Sequence, residues 1–154
     1  MALVTPWPSV RQALVQRLRS NLVLQAGLPG DWSEGFAPQK TEYPLGVFAL
    51  HYAPMLYDWS GVVTVLGVDV FVFSKDQGQA ASLDQLVFTT LQDARLNVTG
   101  QTSLTCRRSS SFSLQDVDTE GKAVYEVGGV YEIRVAQSNP TIASITFTAD
   151  ATLA

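Results

Sequence analysis

Val62-Val63-Thr64-Val65-Leu66-Gly67-Val68-Asp69-Val70-Phe71-Val72-Phe73-Ser74 is the stretch that decides the fold. β-Branched and aromatic residues dominate it and neither alternating face is very polar, which predicts a central strand. Gly67 interrupts the run and is expected to mark a bulge. Asp69 lies in its middle, where a carboxylate needs a hydrogen-bond partner or solvent. We read it as structural rather than catalytic.

Upstream, Leu45 to Tyr52 reads as a second strand, closed by Pro54. Gly30 to Pro44 is rich in Gly, Pro and polar residues and is read as an irregular connection, pinned down by Trp32 and Phe36. Before it, Ser9 and Gln12 have the spacing of a capping box. Val10, Leu14, Leu18 and Leu22 follow as one apolar stripe, and Gly27 and Pro29 are expected to end that helix.

Downstream, Ser74 to Gly78 is a turn. Leu83, Leu86, Val87, Leu91 and Ala94 trace a second helix that should end near Leu96-Asn97. Strands are expected over Thr102–Ser109 and Ala123–Val135, joined by a turn from Asp116 to Gly121, with a kink at Gly128-Gly129. A last short strand, Ile142 to Thr148, is read as an edge or as an addition to a neighbour's sheet. The order of elements predicts an α+β fold, a mostly antiparallel sheet with two helices packed on one face. Residues 1–154 form one domain in this reading, with 137–154 as a C-terminal extension.

Bulk properties narrow the function classes. A 154-residue chain buries roughly 70% of its unfolded surface, enough for its own core. Its charged content of 16% is low beside the roughly 25% of soluble domains, so part of the surface is expected to be covered. The formal net charge of −4 argues against a general nucleic-acid binder. No run of eighteen apolar residues and no basic leader occurs, so the chain is expected to be made and folded in the cytoplasm without a membrane span. Without a secretion signal, Asn97-Val98-Thr99 is a chance sequon.

Catalytic and metal chemistry find little to work with. His51 is the only histidine, read as a hydrogen-bonded structural residue rather than a general base, and Cys106 is the only cysteine, read as a small apolar strand residue. Asp116-Val117-Asp118-Thr119-Glu120-Gly121 has the spacing of half a calcium loop, but position twelve is Val127, so a solvated acidic turn is preferred. Phosphate-cradling glycine motifs are missing. No enzyme, cofactor or metal is expected.

Two features point instead to protein contacts. Tyr52, Tyr57 and Trp59, with Pro54, Met55 and Leu56 between them, have the composition of a binding hot spot, or of a loop folded back on its own core. Arg107-Arg108, followed by three serines, reads as a polar edge strand or subunit contact rather than an anion site. Tyr57, Asp58, Trp59, Arg107 and Arg108 are therefore the candidate interface residues.

The stretch from Ala37 to Gln137 resembles the small tail-completion proteins of long-tailed phages, a family that includes tail terminators. The resemblance is carried by Ala37-Pro38 and Tyr43-Pro44 before a strand, by Gly67 to Asp76, by the helix of Leu83 to Leu91, and by Asp116 to Gly121 before Gly129 to Val135. It departs from the family at the C-terminus, where Ser138 to Ala154 extends beyond the family's usual last strand. It implies a homo-oligomer, a hexameric ring in the neck of a siphovirus virion, assembled in the host cytoplasm. Such a ring stops growth of the tail tube and contacts the tube protein and a head-completion or connector protein. DNA passes only through its acidic lumen. The alternatives are a head-to-tail connector, or stopper, and a monomeric ligand-binding domain.

Overall fold

A computed structural model describes residues 6–38, 42–58 and 61–138. The described chain runs α1 (Trp7–Ser20), α2 (Leu22–Ala26), β1 (Trp32–Glu34), β2 (Leu45–Tyr52), β3 (Met55–Asp58), β4 (Gly61–Ser74), α3 (Gln77–Leu91), β5 (Thr102–Val117) and β6 (Ala123–Ser138). The expected strand Ile142–Thr148 lies outside the described residues.

The strands form one sheet in the order β1-β2-β4-β6-β5, with β3 pairing β4 beyond the end of β2. All neighbours are antiparallel except β1 and β2. The architecture is the α+β one expected, with β4 in the middle. Pleating sends alternate residues of β4 to opposite faces. Leu66, Val68, Val70 and Val72 are fully buried and pack, with Phe48, Cys106, Tyr131, Ile133 and Val135 of neighbouring strands, against Val10, Leu14 and Leu18 of α1 and Val87 and Leu91 of α3. Each such side chain contributes on the order of 1.5–3 kcal/mol when fully buried, so this helix-covered face is the main core.

The other sheet face carries an aromatic row. Phe71 lies 5.4 Å from Phe73 and 5.7 Å from Phe112, ring centre to ring centre. Phe71 and Phe112 meet across β6 because Gly128 stands between them in the register. A β-carbon at Gly128 would run into the Val70 carbonyl and the Phe71 β-carbon. The pair Gly128-Gly129 therefore serves close approach, and β4 and β6 stay in register through it rather than kinking.

Several boundaries differ from expectation. The first helix starts at Trp7, with no side-chain cap; Val10 N–H bonds the Pro6 carbonyl, so Ser9 falls inside the first turn. It breaks at Asn21, whose extended backbone and side-chain oxygen cap α2 through Leu24 N–H at 3.1 Å, so the predicted single helix is two. The second predicted helix stops at Leu91, because Asp93 takes φ 57° and donates its N–H to the Cys106 carbonyl. Ala94, Leu96 and Val98 are still buried, in an irregular segment rather than a helix. Trp32 does pin its connection, lying over Gly46, whereas Phe36 is 74% exposed. The irregularity expected at Gly67 lies instead in β2, between Leu50 and Tyr52, and the Tyr52 ring covers Gly67.

Replacing Gly128 by Ala should destabilise the protein by roughly 1–3 kcal/mol, because the colliding atoms are backbone and cannot swing away. Denaturant unfolding measures this, and an unchanged midpoint would mean that the β4–β6 approach is looser than described.

Candidate interaction surface

Strand β5 is the edge that bears the paired arginines, and the pleat sends the two in opposite directions. Arg107 is two-thirds exposed and meets Asp93 at 2.8 Å. Arg108 turns under the sheet to α3, where its two terminal nitrogens grip both oxygens of Asp84, one of them at 2.9 Å, with each side chain only 12% exposed. Its guanidinium lies 5.3 Å from the Phe88 ring centre and 5.0 Å from that of Tyr131. Its backbone N–H donates to Gln92 at 3.0 Å.

Burial opposes the charge on Arg108, but the hydrogen bonds and charge of Asp84, together with Tyr131, outweigh it and hold the guanidinium protonated above its ordinary range. Burial likewise raises the Tyr131 phenol, and it pushes the Cys106 thiol up to about 12, leaving a packed, unreactive thiol. Gly129 lies against this arrangement, because a β-carbon there would run into the Ser110 carbonyl and press on Arg108 Nε at 2.9 Å. The bidentate pair ties the edge strand to the helix layer, a link only the fold reveals, since Asp84 and Arg108 are 24 residues apart.

At the far end, the acidic motif forms the β5–β6 turn. The Asp118 carboxylate accepts the N–H groups of Glu120 and Lys122, both at 2.9 Å, and faces Lys75 at 3.6 Å, while Gly121 takes φ 77°. The N–H of Lys122 chiefly, with that of Glu120 and the Lys75 charge, holds this carboxyl below its usual pKa. Among the described residues no group of three or more His, Cys, Asp or Glu is placed to hold a metal.

On the opposite edge, Tyr57 and Asp58 lie in β3, paired with Val62 and Gly61, so the aromatic segment is in part a strand of a hairpin rather than a loop. Trp59 lies outside the described residues. Within β2 and β3, Leu50, Tyr52 and Leu56 are 37%, 38% and 56% exposed. His51, at the β2 irregularity, sets Nδ1 3.4 Å from Asp69, which gives that carboxylate its partner. Glu126, on the same sheet face as Asp69, is held above its usual pKa by burial first, then by Asp116 and Asp69. By register, Asp69, Asp116, Glu126 and Glu132 share this sheet face with the aromatic row and with Arg107 and Arg134, so its acidic groups outnumber its basic ones.

The sequence profile of a family described as "Tail completion protein gp17" matches residues 12–135, from within α1 almost to the end of β6. No curated protein matches the chain significantly. Among solved structures, a chain of the "Virion of native gene transfer agent (GTA) particle" shares the fold with a TM-score of 0.68 at 16% identity, covering 87% of this chain and 99% of that one.

Two outcomes are expected here. Asp84→Ala strands a buried guanidinium and should cost about 3–5 kcal/mol, whereas the double change Asp84→Leu with Arg108→Met should recover most of that loss in denaturant unfolding. Asp118 should titrate below its ordinary 3.8. Because its folded pKa is depressed, its stabilisation is complete above 3.8 and fades as pH falls through the lower value. NMR of the tip should show the Glu120 and Lys122 amides losing protection only in that acid range; loss at neutral pH would remove Asp118 as the organiser.

Proposed function

This chain belongs to the tail completion protein gp17 family, and from that membership we propose that it is a tail terminator. A tail completion protein is a structural component of a phage virion, working through association with other tail or head proteins. In the proposed role, several copies, six by the family resemblance, form a ring at the head-proximal end of the tail tube. The ring stops tube polymerisation and offers its free face to the head connector. Residues 1–154 act as one terminator domain in this reading, with 137–154 as an extension whose contacts are specific to this chain.

The observation that carries the reading is the family match across residues 12–135. The described surface supports it. Large apolar side chains stand exposed on the sheet's edges, and such side chains are costly to leave in water unless a partner covers them. The acidic face of the sheet, with Asp69, Asp116 and Glu126, suits a lumen through which DNA slides without adhering. Tyr57, Asp58, Trp59 and Arg107 are the proposed contact residues; Arg108 supports the edge from beneath.

In solution the full chain should sediment as a ring-sized oligomer, and adding it to polymerising tube protein should arrest tube growth at one end. Tyr57→Ala with Trp59→Ala should leave the circular dichroism spectrum intact while raising the concentration needed for arrest by tenfold or more, the loss of about 1.4 kcal/mol or more of contact energy. Binding to isolated heads with no effect on tubes would instead identify a connector.

A further inference from the structure

We infer that the outer edge of β5 is the joint through which one copy of this chain meets the next, pairing with the opposite edge of the neighbour's sheet where β1 and the end of β2 lie; this rests on the ring reading above. Among the described residues β5 pairs only with β6; its outer side is capped at Cys106 and Arg108 by the Asp93 N–H and the Gln92 side chain, and beyond them residues 109–117 have no strand partner on that side. Natural edge strands are blunted by charge, proline, bulges or short length. Here Ser109-Ser110-Ser111-Phe112-Ser113-Leu114-Gln115 contains neither charge nor proline. Its register shifts fall between Ser103 and Thr105 and at Ser109, the first residue of this stretch, so Ser110 to Gln115 runs on without a further bulge. An edge of this kind is a template for a further strand.

The exposed apolar residues identify the occupant. Outside α2, those described as large and exposed fall on the two margins of the sheet. Leu104, Leu114 and Val117 lie on β5. Phe36, Leu50, Tyr52 and Leu56 lie on or beside β1, β2 and β3, at the other margin. A foreign partner would need only one such margin, whereas a second copy placed head to tail covers both at every joint. Strand direction agrees. Both β2 and β6 run antiparallel to β4, and β5 runs antiparallel to β6, so a neighbour related by rotation presents β2 antiparallel to β5. The edges are also level, since Ala49, Asp69, Val130 and Ser110 share one row across the sheet. Joining two different edges is a heterologous contact, the kind that closes into a ring. The Arg108–Asp84 pair and the Asp118 turn hold β5 in place before the neighbour arrives, which lowers the ordering cost of assembly.

Hydrogen–deuterium exchange on the full-length wild-type oligomer, beside the same protein diluted to monomer, tests the joint. The backbone amides of residues 109–117 should exchange more slowly in the oligomer by on the order of tenfold or more. The charged-edge variant Ser111→Lys with Ser113→Lys should remain folded by circular dichroism and run as a monomer in light scattering. If the ring forms while those amides exchange as in the monomer, or if the variant still assembles, β5 is not the joint and the ring reading stands. Protection that appears only when tube protein is added, or an oligomer that stops at a two-fold dimer, overturns the head-to-tail joint. A wild-type chain that stays monomeric with and without tube protein overturns both readings. Should the variant misfold, the wild-type exchange pattern decides alone.

Discussion

Strand β4 must be buried on its helix-covered face, where Leu66, Val68, Val70 and Val72 are fully inaccessible, and most of the architecture follows from that requirement. A strand this apolar cannot sit at an edge, so it takes β6 on one side and β2 followed by β3 on the other. Its even-numbered residues need a lid, which α1 and α3 provide by presenting Val10, Leu14, Leu18, Val87 and Leu91. Its odd-numbered residues carry Phe71 and Phe73, and Phe71 packs with Phe112 across β6 where Gly128 stands opposite it. The glycines of β6 are thus consequences of the aromatic row and of the arginine stem beneath the sheet.

A sheet organised around one central strand still has margins, and this one supports its long margin from below. The Arg108–Asp84 pair costs desolvation of two charges, which bidentate geometry and two flanking rings offset. What the pair provides is placement: it ties β5 to α3 near its middle, while Asp118 organises the turn at its end. In the proposed ring, this margin, with its exposed Leu104, Leu114 and Val117, is the surface that a neighbouring copy covers.

The legible part of the sequence was periodic. Alternation and β-branching located β2 and β4 to within a residue or two, and the four-residue spacing of Val10, Leu14 and Leu18 located α1. Less legible were ends decided by distant partners. Asn21 breaks the first helix where its side chain also reaches Thr90, 69 residues away, and Asp93 ends α3 by donating to Cys106. Strand β5 continues eight residues past its predicted end because β6 supplies a register for a run of serines with little strand signal of its own. Of the candidate surface, the aromatic residues and the two arginines stood out by composition. That Arg108 points inward depends on which face of β5 the helices cover, and no local pattern encodes this.

The amino-acid order by itself therefore determined the class of fold, the central strand, the helix faces and the scarcity of groups for chemistry, because each depends on residue type and on spacings of two to four positions. Tertiary structure alone decided which strands neighbour one another, which margin lies open, and which charges are spent inside the subunit. Those outcomes rest on pairings between residues tens of positions apart, where register and burial choose among partners that local sequence leaves equivalent.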